Sequence, residues 1–104
     1  MKNDEFEIFR VDNPDGVKFN LKGFITSYYA DTLQNELDKT LKDGVVNIIL
    51  NMLFVEYICS TGIKVLLKTF KSAKEAGGKL SIEMPSERVK NVLGMVALDE
   101  MLIK

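Results

Sequence analysis

The 104-residue chain has no histidine, and that excludes more than any of its averages do. A Ser-His-Asp triad, a Cys-His dyad and a histidine-ligated metal site are all impossible within it. Cysteine occurs once, as Cys59, which removes an internal disulfide and any multi-cysteine zinc site. That sparing use fits a reducing compartment. Arginine occurs only as Arg10 and Arg88, too few for a set of bidentate phosphate clamps. No apolar run approaches the roughly 18 residues of a membrane span, and the charged opening MKNDEFEIFR has no apolar signal core. A cytoplasmic protein with no membrane contact is the expectation. Fourteen basic against fifteen acidic residues leave a net charge of -1, which gives no bulk attraction for nucleic acid or anionic lipid. There is also no internal repeat, low-complexity stretch or Pro/Ser-rich linker, so residues 1–104 read as one domain.

The residues that are present have the composition of a packed domain. Hydrophobic residues make up 46% and charged residues 28%, close to the globular average, and the length suits one core. Phe6, Ile8, Arg10 and Val11 predict an opening strand. Asn13-Pro14-Asp15-Gly16 reads as a turn, with proline pre-setting φ. Val17, Phe19 and Leu21 then alternate with Lys18, Asn20 and Lys22, the period of a half-buried strand. After Gly23 the period becomes helical through Ala30, Leu33, Leu37 and Leu41, with Thr26 or Ser27 as the N-cap and Gly44 as the stop. Val45–Leu50 is nearly continuous in branched apolar residues, the pattern of a central strand with helices on either side.

Residues 53–58 fit either a strand or a buried connection. From Ser60 the helical period returns, with Ile63, Leu66, Leu67, Phe70 and Ala73 inward, until Gly77-Gly78 stops it. Leu80, Ile82 and Met84 alternate as a strand that Pro85 ends. Ser86 caps a helix over 87–95 with Val89, Val92 and Leu93 inward. The order strand–strand–helix–strand–helix–strand–helix predicts an α/β fold: a small mixed sheet of four to five strands packed against three to four helices, joined by right-handed crossovers.

Packing does not account for Tyr57-Ile58-Cys59-Ser60-Thr61-Gly62. Three small polar side chains and a glycine stand where an amphipathic helix begins. The first N–H groups of a helix lack intrahelical partners and carry its positive end, so an anion there gains hydrogen bonds and charge interaction. Serine and threonine are also favoured N-caps, so Ser60 and Thr61 can equally be there only to start the helix. The Lys64, Lys68, Lys71 stripe has two readings as well, a solvated face or a surface for acidic groups of a partner.

The stretch from Val45 to Lys79 resembles the core of the STAS domain of bacterial anti-sigma factor antagonists. In that family a buried strand leads to a D-S-S/A/T-G-L-like motif, a helix and a glycine-rich stop. The likeness extends upstream through Val17–Leu41 and downstream to the closing segment from Ala97 to Leu102. It implies a regulatory module that sequesters an anti-sigma factor, itself a serine kinase, and is switched off when the first serine of the motif is phosphorylated. That position is Ser60, with Thr61 as the rival hydroxyl; Thr61 and Gly62 match the two residues that follow. The implied partner surface is Thr26, Ser27, Tyr28, Ile58, Cys59, Ser60, Thr61, Gly62 and Lys64. ATP would be bound by the partner, since the chain has no GxxxxGK[ST] loop; no cofactor or metal of its own is expected, and a phosphatase completes the cycle. Direct nucleic-acid contact is not expected.

The chain departs from the family pattern at three places. Cys59 replaces the acid before the serine, Thr26 aligns with a second acid, and Asn51 stands where the strand often closes with aspartate. All three would remove negative charge around Ser60. Two other readings stay open: a STAS-fold interaction subunit without a working phospho-switch, and a thiol enzyme using Cys59 at a helix start. Against the second, there is no histidine base and no arginine six residues on to bind an oxyanion.

Overall fold

In the computed structural model, which describes residues 5–103, the pattern changes seen in the sequence become eight elements. They are β1 (Phe6–Asn13), β2 (Gly16–Ile25), α1 (Ser27–Lys42), β3 (Asn47–Ile58), α2 (Ser60–Glu75), β4 (Lys79–Glu83), α3 (Glu87–Met95) and the short α4 (Asp99–Leu102). The sheet order is β1-β2-β3-β4. The first pair is an antiparallel hairpin, and β2–β3 and β3–β4 are parallel. This is the α/β class with a mixed sheet that the element order predicts. The Cα radius of gyration, 12.6 Å, matches the roughly 13 Å of a compact chain of this length.

Val45–Leu50 does lead into a central strand, although regular pairing begins only at Asn47. Helices on either side of it were expected, and here the structure differs. The strands advance in one direction from β2 to β4, so successive right-handed crossovers carry α1 and α2 over the same face, where they pack on each other. Val17, Phe19 and Leu21 of β2 and Ile48, Leu50 and Met52 of β3 point into that face and are buried with Leu33, Leu37 and Leu66. The opposite face carries Lys18, Asn20, Ile49, Asn51 and Glu83, and Lys18 Nζ reaches Glu83 across β3 at 2.8 Å.

The inward stripe of α2 is Gly62, Val65, Leu66, Thr69 and Ala73. Leu66 is inward as predicted, while Ile63, Leu67 and Phe70 are only half-buried. The stripe is rotated toward smaller residues because α2 packs on α1 as well as on the sheet. At that seam Thr69 is buried and takes a hydrogen bond from Gln34 Nε2 at 3.3 Å. In β4 Leu80, Ser81 and Ile82 are all buried, and Met84 lies beyond the strand and is exposed. Ile82 also bridges to Ile103, so the C-terminal segment covers that edge of the sheet. In α3 Val89 and Leu93 are buried and Val92 is half-buried.

Residues 53–58 are strand, not a buried connection. Between Asn20 and Ile25 β2 advances five residues while β3 advances seven, from Asn51 to Ile58, so β3 slips register twice. Each slip turns two consecutive side chains away from the core: Leu53 with Phe54, then Glu56 with Tyr57. β4 has ended by this point, and Ser86 takes its place at the β3 edge. Its N–H donates to the Met52 carbonyl at 3.1 Å and its hydroxyl to the Val55 carbonyl at 2.7 Å. The same oxygen caps α3 by accepting from Val89 N–H at 3.2 Å.

Paired helix starts as a candidate regulatory site

β2 and β3 run parallel and end level, at Ile25 and Ile58, so α1 and α2 begin side by side. The Cys59 N–H donates to the Ile25 carbonyl at 3.0 Å, which laces the two helix starts together. Thr26 is the N-cap of α1, and its Oγ1 accepts from Tyr29 N–H at 3.5 Å. The cap of α2 is Cys59, one residue before the hydroxyls that the sequence offered for it. Cys59 has the extended backbone of an N-cap, and its Sγ accepts from Gly62 N–H at 3.4 Å. Ser27 Oγ stands 4.0 Å from the same sulfur.

Capping by sulfur leaves the hydroxyls uncommitted. Ser60 and Thr61 are the first two residues of α2 and both are exposed. Among the described residues, neither side chain makes a hydrogen bond. Neither helix has an acidic residue in its first turn, so each positive helix end stands here without a carboxylate of its own.

Of the predicted partner surface, Thr26, Ser27, Tyr28, Cys59, Ser60, Thr61 and Lys64 come together at this end of the sheet, with Tyr28 the most open at 76% exposed. Ile58 and Gly62 do not belong to that surface, because both are buried. Ile58 is the last inward residue of β3. Gly62 lies against it: a Cβ there would stand 2.8 Å from Ile58 Cγ1 and 2.9 Å from Ile25 Cγ2. The glycine of the motif lets α2 start close to the sheet and so sets the position of Ser60. Asn51 is also misplaced by sequence reasoning. It pairs with Asn20 and Glu83 seven residues before Ile58, about 20 Å along the strand. Its neutral amide therefore has no bearing on Ser60; it accepts from Leu53 N–H at 3.1 Å beside the first register slip.

Sequence reasoning missed Phe24, Glu56 and Arg88 and named Tyr57 only within the segment leading to the helix; the four form a concavity with Thr26 next to the helix starts. Arg88 comes from the first turn of α3, and no local pattern in the sequence places it there. Among the described residues no group of three or more His, Cys, Asp or Glu is placed to hold a metal ion. No helix among them is long and apolar enough to cross a membrane.

These features define a small α/β domain with an exposed hydroxyl pair at laced helix starts. The STAS domain family profile matches residues 8–104. The chain is 30% identical over 90 residues to the anti-sigma-B factor antagonist of Bacillus subtilis (strain 168), covering 86% of this chain and 82% of that one. An anti-sigma factor antagonist from Mycobacterium paratuberculosis superposes with a TM-score of 0.82 at 19% identity, over 95% of this chain and 84% of that one. The Bacillus cell fate determinant SpoIIAA in its phosphorylated form gives 0.76 at 17% identity, over 95% and 89%. The chain belongs to the STAS domain family and, within it, to the anti-sigma factor antagonists. Such antagonists are non-enzymatic regulatory proteins, so the thiol-enzyme reading of Cys59 is set aside.

Proposed function

We propose that this chain, working as one domain in the cytoplasm, sequesters an anti-sigma factor that is also a serine kinase, and that phosphorylation of Ser60 releases it. The observation that carries this reading is the Ser60 hydroxyl: exposed on the first residue of α2, and free because Cys59 does the capping. A phosphoserine would add about -1.5 to -2 charges at neutral pH. Two helix starts with no acidic residue in either first turn can hold that charge, so the fold survives. The complex does not, because a partner surface built against a hydroxyl would have to desolvate a dianion. The partner contacts Thr26, Ser27, Tyr28, Cys59, Thr61 and Lys64 around Ser60 and binds the ATP; a phosphatase restores the active form. Neither nucleic acid nor membrane takes part directly.

The test incubates the protein with its serine-kinase partner and ATP and maps the phosphate by mass spectrometry. Phosphate on Ser60, weaker binding by Ser60→Asp and unregulated binding by Ser60→Ala are expected. Phosphate on Thr61 alone, or unchanged affinity for Ser60→Asp, removes Ser60 from the mechanism.

A further inference from the structure

The register slips in β3 leave an apolar surface that the fold itself does not use. Phe54 is 64% exposed, and Leu53 and Tyr57 are each 40% exposed. Without the slips, alternation would have turned every second one of these side chains into the core. Exposed apolar residues clustered in this way mark an interaction surface more often than scattered single ones do. Two shallow concavities run along it. The one nearer the helix starts is walled by Phe24, Thr26, Glu56, Tyr57 and Arg88. The next includes Lys22, Leu53, Phe54, Glu56, Ser86 and Arg88. Glu56 and Arg88 belong to both, so the surface is continuous, and Thr26 joins it to the Ser60 cluster.

Size and chemistry indicate the occupant. A stable interface takes about 20–30 residues and roughly 800 Å² on each side. Of the predicted surface around Ser60 only seven residues are accessible, since Ile58 and Gly62 are buried. A partner that holds the protein by this end must reach further, and the β3 surface is the apolar area that adjoins it. Arg88 is exposed and, among the described residues, makes no ion pair or hydrogen bond. Arginine beside exposed aromatics is the composition of an interface hot spot.

We propose that the partner which reads Ser60 also docks on the slipped half of β3, with an apolar anchor against Phe54 and Tyr57 and a carboxylate on Arg88. This rests on the function proposed above. It assigns the two halves of the interface different tasks: the helix starts carry the switch, and the β3 surface carries affinity that does not depend on phosphate.

The test measures affinity for the purified serine-kinase partner by titration calorimetry, using Phe54→Ser, Arg88→Glu, Ser60→Asp and, as an exposed apolar control on β1, Phe9→Ser. Phe54→Ser and Arg88→Glu should each weaken binding at least tenfold with thermal midpoints near that of the parent, and Phe9→Ser should leave it unchanged. Arg88→Glu alters only an exposed side chain and keeps the test valid if Phe54→Ser folds poorly. Unchanged affinity for Arg88→Glu, together with weaker binding by Ser60→Asp, overturns the β3 surface and leaves the Ser60 reading standing. Unchanged affinity for Ser60→Asp overturns that reading and the docking surface with it.

Discussion

The two halves of β3 are alike in composition and differ in how much of it they bury. Over Asn47–Asn51 the strand is paired on both edges and alternates regularly, so Ile48 and Leu50 are fully buried. Over Leu53–Ile58 it is paired on one edge only, slips twice and turns Leu53, Phe54 and Tyr57 outward. The first half holds the domain together; the second brings chemistry-bearing residues to the surface beside the helix starts. Hydrophobicity alone does not decide burial. What decides it is whether neighbouring strands impose a register that keeps the alternation in phase.

The largest expected effect tests the first half directly. Leu50→Ala should cost about 2–5 kcal/mol of stability, since it empties a fully buried site. Urea unfolding measures it, and a loss below about 1 kcal/mol would mean that this half is not the core. Gly62→Ala should cost about 1–3 kcal/mol through overpacking against Ile58 and Ile25, and should move Ser60 as α2 shifts outward. Amide chemical shifts at residues 59–62, read with the unfolding midpoint, would show both effects.

A smaller effect sharpens the contrast at the edge where β4 has ended. Ser86→Ala removes both the α3 cap and the hydrogen bond to Val55, and should cost about 0.5–2 kcal/mol. Hydrogen exchange should rise around residues 53–58 more than around 47–51. Equal rises in the two segments would show that Ser86 does not support the slipped half in particular. Cys59→Asp replaces a sulfur cap by a carboxylate at a helix start and should stabilise by about 0.5–1 kcal/mol at neutral pH. The helix end lowers the folded-state pKa of the introduced carboxyl below its unfolded value. The gain is therefore present above the unfolded value, about 4, and fades as pH falls through the folded one. Smallest of all, Phe54→Ala should change stability by no more than about 0.5 kcal/mol despite removing an aromatic ring, because that ring is mostly in water. A loss comparable to that of Leu50→Ala would erase the distinction between the halves.

Much of the fold was legible. Periods of two and 3.6, the Asn13–Gly16 turn and the stops at Gly44 and Gly77-Gly78 report local backbone choices, and those are made by neighbouring residues. That small polar residues and a glycine stand at a helix start was legible for the same reason, whereas the meaning of Ser60-Thr61-Gly62 came from its resemblance to the family motif. The helix cap was not: Cys59 rather than Ser60 or Thr61 takes it because β3 ends at Ile58, which depends on pairing with β2. Asn51 could not be separated from the Ser60 neighbourhood by sequence, because distance along a strand counts only once the strand is known to be continuous.

By itself, then, the sequence determined which segments are helix or strand, that they form an α/β unit, and that a hydroxyl pair stands at a helix start. Tertiary structure alone decided which sheet face the helices cover, which apolar residues of β3 reach the core, and that Arg88 stands near Thr26. The physical reason is range. Propensity, capping and periodicity act over a few residues, whereas strand order, register and the side of a crossover are set by contacts between residues tens of positions apart.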